Sequence, residues 1–105
     1  MRTRGEKEVD RYLVMEVEKA GGVCLKYDNG NKSGYPDRIC LMPGGVTFWV
    51  ELKGAGLEPR PLQWERIKAL RELGHTVYVA DSYDKVDMII KKHKGNEIQT
   101  ARISE

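Results

Sequence analysis

The 105-residue chain is long enough for one domain of roughly 100–200 residues and too short for a second core. Charged residues make up 32% of it, but 18 basic and 16 acidic side chains leave a net charge of only +2, which permits nucleic-acid binding without indicating it. No apolar run reaches the roughly 18 residues of a membrane span, the first residues lack the apolar core of a signal peptide, and two cysteines are too few for a disulfide framework. We therefore expect a protein of the reducing cytoplasm, without a membrane partner.

Hydrophobic spacing and turn residues predict alternating helices and strands. In chain order these are a helix over 4–20, strands over 23–27, 37–42 and 46–53, a helix from Pro61 to a stop at Gly74, a strand over 76–80 and a last helix capped by Ser82. The order predicts an α/β fold with a mixed sheet, helices on its faces and a right-handed crossover between the third and fourth strands. We expect residues 1–93 to form the single domain and residues 94–105 a polar C-terminal tail.

The third predicted strand carries a charged pair on one face. Alternation places Trp49, Glu51 and Lys53 together on that face. A Glu-x-Lys sequence at the end of a strand is usually only a solvated ion pair. Asp37 at the start of the preceding strand changes this interpretation, because a hairpin can bring the start of one strand near the end of the next. Two carboxylates and a lysine could then converge, although Asp37 after Pro36 is also ordinary turn chemistry.

This residue set suits a hard divalent cation. Mg²⁺ takes oxygen ligands and keeps several waters, so Asp37, Glu51, a backbone carbonyl and water would form a suitable site. The two cysteines have no metal-ligand spacing and the two histidines are isolated, which argues against zinc. The sequence also lacks a P-loop and the nucleophile elbow of serine hydrolases. Metal-assisted hydrolysis is the chemistry that remains.

Four motifs follow one another along the chain. They are Glu6 or Glu8 on the first helix, Gly34-x-Pro36-Asp37, Glu51-x-Lys53, and Gln63 at the start of the next helix. In this order and spacing they resemble the stand-alone VRR-NUC domains of the PD-(D/E)XK nuclease superfamily, a form typical of phages and bacteria, over about residues 5–92. The resemblance implies a restriction-endonuclease-like core of helix, three strands, helix and strand. It also implies a phosphodiesterase that depends on Mg²⁺ or Mn²⁺.

The resemblance gives the strand residues their roles. Asp37 and Glu51 would bind the cation, with the carbonyl of Leu52 as a third ligand. Lys53 would orient or activate the attacking water, or stabilise the charge that develops on the phosphate. Both roles require the ammonium group of Lys53 to lie next to the cation. Strand alternation provides this, because it places Lys53 on the same face as Glu51.

Two helix residues are less sharply assigned. In the family, a glutamine at the position of Gln63 borders the active site, whereas capping is the ordinary role of a glutamine in the first turn of a helix. Glu6 is preferred to Glu8 as the acid of the first helix because it lies one heptad before Leu13 on the inward stripe. A Thr-x-x-Glu capping box formed with Thr3 would instead hold Glu6 near the backbone.

The glycine-rich loop over 28–34 is a candidate for contacts with nucleic acid. Lys26, Lys32 and Arg38 surround it, and Tyr35 lies among them, an arrangement suited to phosphate contact and base stacking. Scattered charge on a solvated loop is equally common.

We interpret the chain as an endonuclease that cuts DNA phosphodiester bonds with Mg²⁺ or Mn²⁺. By resemblance alone, its substrate would be branched DNA such as a junction or flap, in a bacterial or phage-infected cell. A homodimer is expected, because one small domain has little surface to hold DNA and two strands need two active sites. The sequence leaves undecided whether the chain also needs a helicase or another replication protein as a separate partner. The alternatives are a binding module that does not cut, a nuclease for RNA or single strands, and a structural domain with a surface Glu51–Lys53 ion pair.

Overall fold

The computed structural model describes residues 5–103, with side chains described for residues 5–94. Within this part of the chain, three α-helices and one short 3-10 turn alternate with four strands. Their bounds are α1 Glu6–Lys19, β1 Val23–Lys26, β2 Arg38–Met42, the 3-10 turn Pro43–Gly45, β3 Val46–Leu52, α2 Pro61–Glu72, β4 Val77–Ala80 and α3 Tyr83–Ile103. The predicted α/β class and the order of its elements are confirmed.

The four strands form one mixed sheet in the order β1-β2-β3-β4. β2 pairs antiparallel with β1 and β3, and β3 pairs parallel with β4 through the crossover that contains α2. The β2–β3 connection is tight because Gly44 and Gly45 adopt positive φ angles of 83° and 77°, a region that favours glycine. This hairpin brings the start of β2 to the end of β3, as the sequence predicts.

Helices cover both faces of the sheet. α1 and α3 pack on the face that carries Phe48, Val50 and Leu52 of β3, and this side holds the larger core. α2 packs on the opposite face with Ile67 and Leu70, against β4 and Trp49. The alternation of β3 therefore divides its side chains as predicted, and it directs Glu51 to the α2 side.

Two helix ends differ from the sequence prediction. The N-cap of α1 is Gly5, so Glu6 is the first helical residue and the capping box with Thr3 is wrong. Thr3 itself lies outside the described residues. α3 continues to Ile103, and no proline interrupts it after Lys94, so the polar segment starts within the helix. The domain boundary at residue 93 stays a prediction.

His93 belongs to the core. Its ring stacks on Phe48 at a centroid distance of 4.4 Å, and its Nε2 shares a hydrogen bond of 2.8 Å with the hydroxyl of Tyr78. Burial lowers the pKa of His93, which favours the neutral ring in this position. Among the described residues, no helix is long and apolar enough to cross a membrane.

Candidate active site

The start of β2 holds Asp37 beside the end of β3. Arg38 pairs with Val50, so Asp37 lies one step further along, next to Glu51. The carboxylate of Asp37 accepts a hydrogen bond of 2.8 Å from the N–H of Leu52, and its backbone carbonyl accepts one of 2.8 Å from the N–H of Tyr27. Contacts with the strands on both sides thus fix the position of this carboxylate.

Glu51 is a buried acid with an unusual environment. Its side chain is 1% exposed, and neither carboxylate oxygen has a hydrogen-bond partner among the described residues. The ammonium group of Lys53 lies 3.5 Å from Oε2, at ion-pair distance. Burial first, and the Asp37 carboxylate second, raise the pKa of Glu51 to about 7, although Lys53 opposes the shift. Buried polar groups normally have hydrogen-bond partners, whereas these two oxygens have only the ion pair with Lys53 and can accept a further ligand.

The first turn of α1 brings Glu6 to the same place. The residue is exposed overall, but its carboxyl group faces a cleft of about 290 Å³ at the edge of the sheet. The cleft is lined by Glu6, Lys7, Asp10, Lys26, Asp37, Arg38 and Leu52. Partial burial first, and Asp37 second, raise the pKa of Glu6. Glu8 lies instead in a hollow with Tyr12 and Met15, so Glu6 is the helix acid that shares a cleft with Asp37.

The carbonyl of Leu52 opens toward the same cleft. In a strand, the N–H and C=O groups of one residue point to the same side. The N–H of Leu52 reaches Asp37, so its C=O also points away from β4 and toward the β2 side. Because β2 begins at Arg38, opposite Val50, no residue of β2 pairs with this carbonyl.

This donor set fits a hard divalent cation. Asp37, Glu51 and the carbonyl of Leu52 offer only oxygen atoms, and Glu51 supplies the buried, unpartnered oxygens that such an ion would satisfy. Within residues 5–94, no group of three or more His, Cys, Asp or Glu side chains could hold a metal by itself. Water and substrate oxygens would therefore complete the shell, as Mg²⁺ prefers.

Gln63 has a capping role in the structure. Its Oε1 accepts a hydrogen bond of 2.8 Å from the backbone N–H of Arg60, the N-cap of α2. The glutamine thus satisfies the backbone donor of Arg60, while the carbonyl of Arg60 accepts from the N–H of Trp64 at 2.9 Å. Among the described residues, no hydrogen bond joins its side chain to Asp37, Glu51 or Lys53.

The predicted nucleic-acid contacts divide into two groups. Lys26 and Arg38 lie opposite each other on β1 and β2 and line the cleft. Lys32 and Tyr35 line a separate hollow of about 220 Å³ formed by the glycine-rich loop. The ring of Tyr35 is covered by the guanidinium group of Arg66 at 4.9 Å, so Tyr35 is already stacked within the protein.

Asp10 is a cleft residue that the sequence analysis missed. Its two carboxylate oxygens accept hydrogen bonds of 2.8 and 3.0 Å from Arg38 and thereby join α1 to β2 beside Asp37. This bond raises the pKa of Arg38 and holds its side chain along the wall of the cleft. The spacing of four residues from Glu6 places Asp10 on the same side of the helix, and this signal could have identified it.

Comparison with known proteins gives close relatives. No family model matches the sequence. A protein of Acyrthosiphon pisum secondary endosymbiont phage 1, named "Putative nuclease p44", is 39% identical over 84 residues, which are 80% of this chain and 90% of that protein. A solved structure named "VRR_NUC domain" has a TM-score of 0.77 and 32% identity, and covers 82% of this chain and 94% of its own. A second solved structure, named "VRR_NUC domain protein", has a TM-score of 0.67 and covers 86% of this chain and 88% of its own. At 22% identity it shows the fold alone.

Proposed function

Because this chain belongs to the VRR-NUC family, we propose that it is a nuclease that hydrolyses DNA phosphodiester bonds with Mg²⁺ or Mn²⁺. The buried carboxylate of Glu51, without a hydrogen-bond partner and next to Asp37, is the observation that carries the proposal. The ammonium group of Lys53 compensates the charge of one of the two adjacent carboxylates, and a bound divalent cation would compensate the other. A domain with a purely structural role would have no need of this arrangement.

The residues in the cleft and next to it would have different roles. Asp37, Glu51 and the carbonyl of Leu52 would hold the cation, which supplies a Lewis acid for the phosphate and for water. Lys53, next to Glu51, would stabilise the charge that develops on the phosphate. Glu6 lies across the cleft, and its raised pKa suits it to hold the attacking water and accept a proton.

The cations of the cleft supply the contacts with the DNA backbone. Lys7 and Lys26 line it beside the carboxylates, and Arg38 is held there by Asp10. Such contacts bind phosphate without reading sequence, which agrees with recognition of DNA by its shape.

We extend the proposal to branched DNA as substrate, to a PD-(D/E)XK mechanism, to a homodimer as the active form and to the cytoplasm of a bacterial or phage-infected cell. The phage origin of the p44 relative supports this setting.

The test is a cleavage assay on purified protein. Labelled duplex, single-stranded, flap and four-way-junction DNA, with RNA of matched sequence, are incubated in Mg²⁺, Mn²⁺ or EDTA. We expect cutting that requires the cation and that falls roughly 10²-fold or more in Lys53→Ala. Asp37→Asn should be similarly impaired, whereas Lys68→Ala, on the exposed side of α2, should cut like the wild type.

Other outcomes would assign the chain differently. Binding of branched DNA without cutting under any condition would favour a binding module. Preferential cutting of RNA would move the substrate class to RNA. Activity that survives both Lys53→Ala and Asp37→Asn would place the active site elsewhere.

A further inference from the structure

Two free cysteines face each other across β1 and β2. Cys24 and Cys40 are direct partners in the antiparallel register, and their Sγ atoms are 3.7 Å apart. Both lie on the sheet face that α1 and α3 cover, where Cys40 belongs to the core. The proposed nuclease site uses neither thiol, so their pairing needs its own explanation.

The register gives this pair the geometry of a disulfide site. The N–H of Tyr27 donates to the carbonyl of Asp37, so Tyr27 and Asp37 form a hydrogen-bonded pair. Hydrogen-bonded and non-hydrogen-bonded pairs alternate along an antiparallel ladder, and Cys24–Cys40, three steps away, is therefore non-hydrogen-bonded. The Cα atoms of such a pair are roughly 4.5 Å apart, inside the range of about 4.4–6.8 Å that disulfides span.

The two thiols differ in exposure and in acidity. Cys24 is half-buried on an edge strand, whereas Cys40 is completely buried. The hydrogen bond shared with the Cys40 thiol, aided by the nearby Arg38, lowers the pKa of Cys24, although partial burial opposes the shift. The same hydrogen bond and burial raise the pKa of Cys40. Cys24 is thus the accessible nucleophile, and Cys40 is the protected thiol behind it.

We propose that Cys24 and Cys40 form a dithiol site that closes to an intramolecular disulfide by exchange with a small-molecule disulfide. The Cys24 thiolate attacks one sulfur of the small disulfide, whose S–S bond breaks and releases a thiolate. Cys40 then loses its proton and attacks Sγ of Cys24, which releases the second thiolate. The two cysteines lose two electrons, the small disulfide gains them, and the protons from the two cysteines end on the two released thiols.

The new bond would join the edge strand β1 to β2 beside the cleft. β1 carries Lys26 and β2 carries Arg38, which are direct partners two residues away from the cysteine pair. A cross-link between positions 16 residues apart restricts the unfolded chain. The oxidised protein should therefore unfold at a higher urea concentration than the reduced protein.

The test uses the full-length reduced protein with oxidised and reduced glutathione at increasing ratios, followed by alkylation and intact-mass measurement. We expect single chains that are lighter by the mass of two hydrogen atoms and that no longer react with the alkylating reagent. Cys40→Ser should stop at one glutathione on Cys24, because no second thiol resolves it. Cys24→Ser should take up little glutathione, because Cys40 is buried.

The wild-type measurement decides the proposal even if a variant fails to fold. Retention of both free thiols at ratios that oxidise a small model dithiol would overturn it, as would a disulfide between two chains in place of the internal one. A stable glutathione adduct on wild-type Cys24 would also overturn it, because Cys40 would then have failed to resolve it. A lower urea midpoint in the oxidised protein would overturn the stabilising effect.

Discussion

The carboxyl group of Glu51 opposes folding when no cation is present. Its pKa rises from the ordinary 4.5 to about 7 through burial and through Asp37, so between these values the native protein binds a proton that the unfolded chain releases. In EDTA, we therefore expect the free energy of unfolding to fall as pH rises from about 4.5 to about 7. This loss should be smaller in Glu51→Gln, where the raised pKa of Glu6 still contributes in the same sense.

Urea unfolding of the wild type and of Glu51→Gln across this pH range measures the effect. His93 titrates in the opposite sense, since its lowered pKa makes the native state lose stability as pH falls, but it is common to both proteins. The difference between the two curves therefore isolates Glu51. Parallel curves would show that the buried carboxyl group does not titrate in this window.

A bound divalent cation should offset the loss of stability that the ionised Glu51 carboxylate causes. At a cation concentration about 100 times the dissociation constant, binding to the native state alone adds about 2.7 kcal/mol to the free energy of unfolding. We expect Mn²⁺ to raise the melting temperature of the wild type above neutral pH. Asp37→Asn should lose this increase, while Glu58→Gln, on an exposed loop, should retain it. An equal increase in Asp37→Asn would place the cation elsewhere.

Asp10 acts on the cleft through Arg38. The two side chains are only 29% and 18% exposed and meet through two hydrogen bonds, which makes this ion pair stronger than one on the open surface. We expect Asp10→Ala to lower the free energy of unfolding by about 1–2 kcal/mol and to reduce DNA cutting, because Arg38 loses its orientation. Glu16→Gln breaks the pair with Lys19 on the same helix, in which the lysine is 67% exposed and the contact is a single hydrogen bond, and should do neither. Equal effects of the two variants would contradict a special role for Asp10.

At the scale of the elements, the loop before β2 is anchored on α2. Gly34 has a φ of +90°, and a Cβ atom there would lie 2.8 Å from Cγ of Leu62 and 3.2 Å from Cγ of Arg66. Arg66 also donates to the carbonyl of Ser33 at 3.1 Å. This close contact leads the chain through the buried Pro36 into Asp37, so it contributes to the position of the carboxylate.

Replacing this glycine should therefore loosen the loop. We expect Gly34→Ala to lower the free energy of unfolding by about 1–3 kcal/mol, from the strained φ and the contact with Leu62. Gly30→Ala lies in the same loop with nothing within 4 Å of a new Cβ atom, and it should change stability by about 0.5 kcal/mol or less. Thermal melts of both variants compare the two positions, and equal melting temperatures would show that α2 does not anchor the loop.

Patterns within single elements predicted most of the fold. The period of α1 and the alternation of β3 identify the buried residues, because the side chains repeat with the geometry of the backbone. Helix ends were harder to predict. Gly5 replaces Thr3 as the N-cap because either residue can start a helix, and only the surrounding fold decides between them.

The site was predictable where short-range geometry brings residues together. The β2–β3 hairpin joins Asp37 to Glu51, and one turn of helix separates Glu6 from Asp10. The bond between Asp10 and Arg38 spans 28 residues, and no local pattern reports such a contact. Gln63 was assigned to the border of the site by resemblance, which stays a prediction, and in the structure its side chain accepts from the N–H of Arg60.

At the scale of the whole molecule, each chain carries one copy of the cleft that contains Glu6 and Asp37. The chain is small, with extents of 44 × 37 × 20 Å over its Cα atoms. A single site cuts one strand at each encounter, whereas a symmetric dimer presents two sites to two strands. We therefore expect sedimentation at micromolar protein to give about twice the 12.0 kDa mass of the chain.

Mixing active and inactive chains distinguishes a working dimer from two independent chains. If wild type and Lys53→Ala exchange freely in equal amounts, about one quarter of the dimers carry two complete sites and about half carry one. On a supercoiled plasmid with a cruciform, the linear product should therefore fall more steeply than the nicked product as Lys53→Ala is added. With the wild type held constant and DNA in excess, independent monomers would leave both products unchanged, because Lys53→Ala would not join any active species. A monomer in sedimentation with full activity would contradict the dimer directly and leave the nuclease site itself untouched.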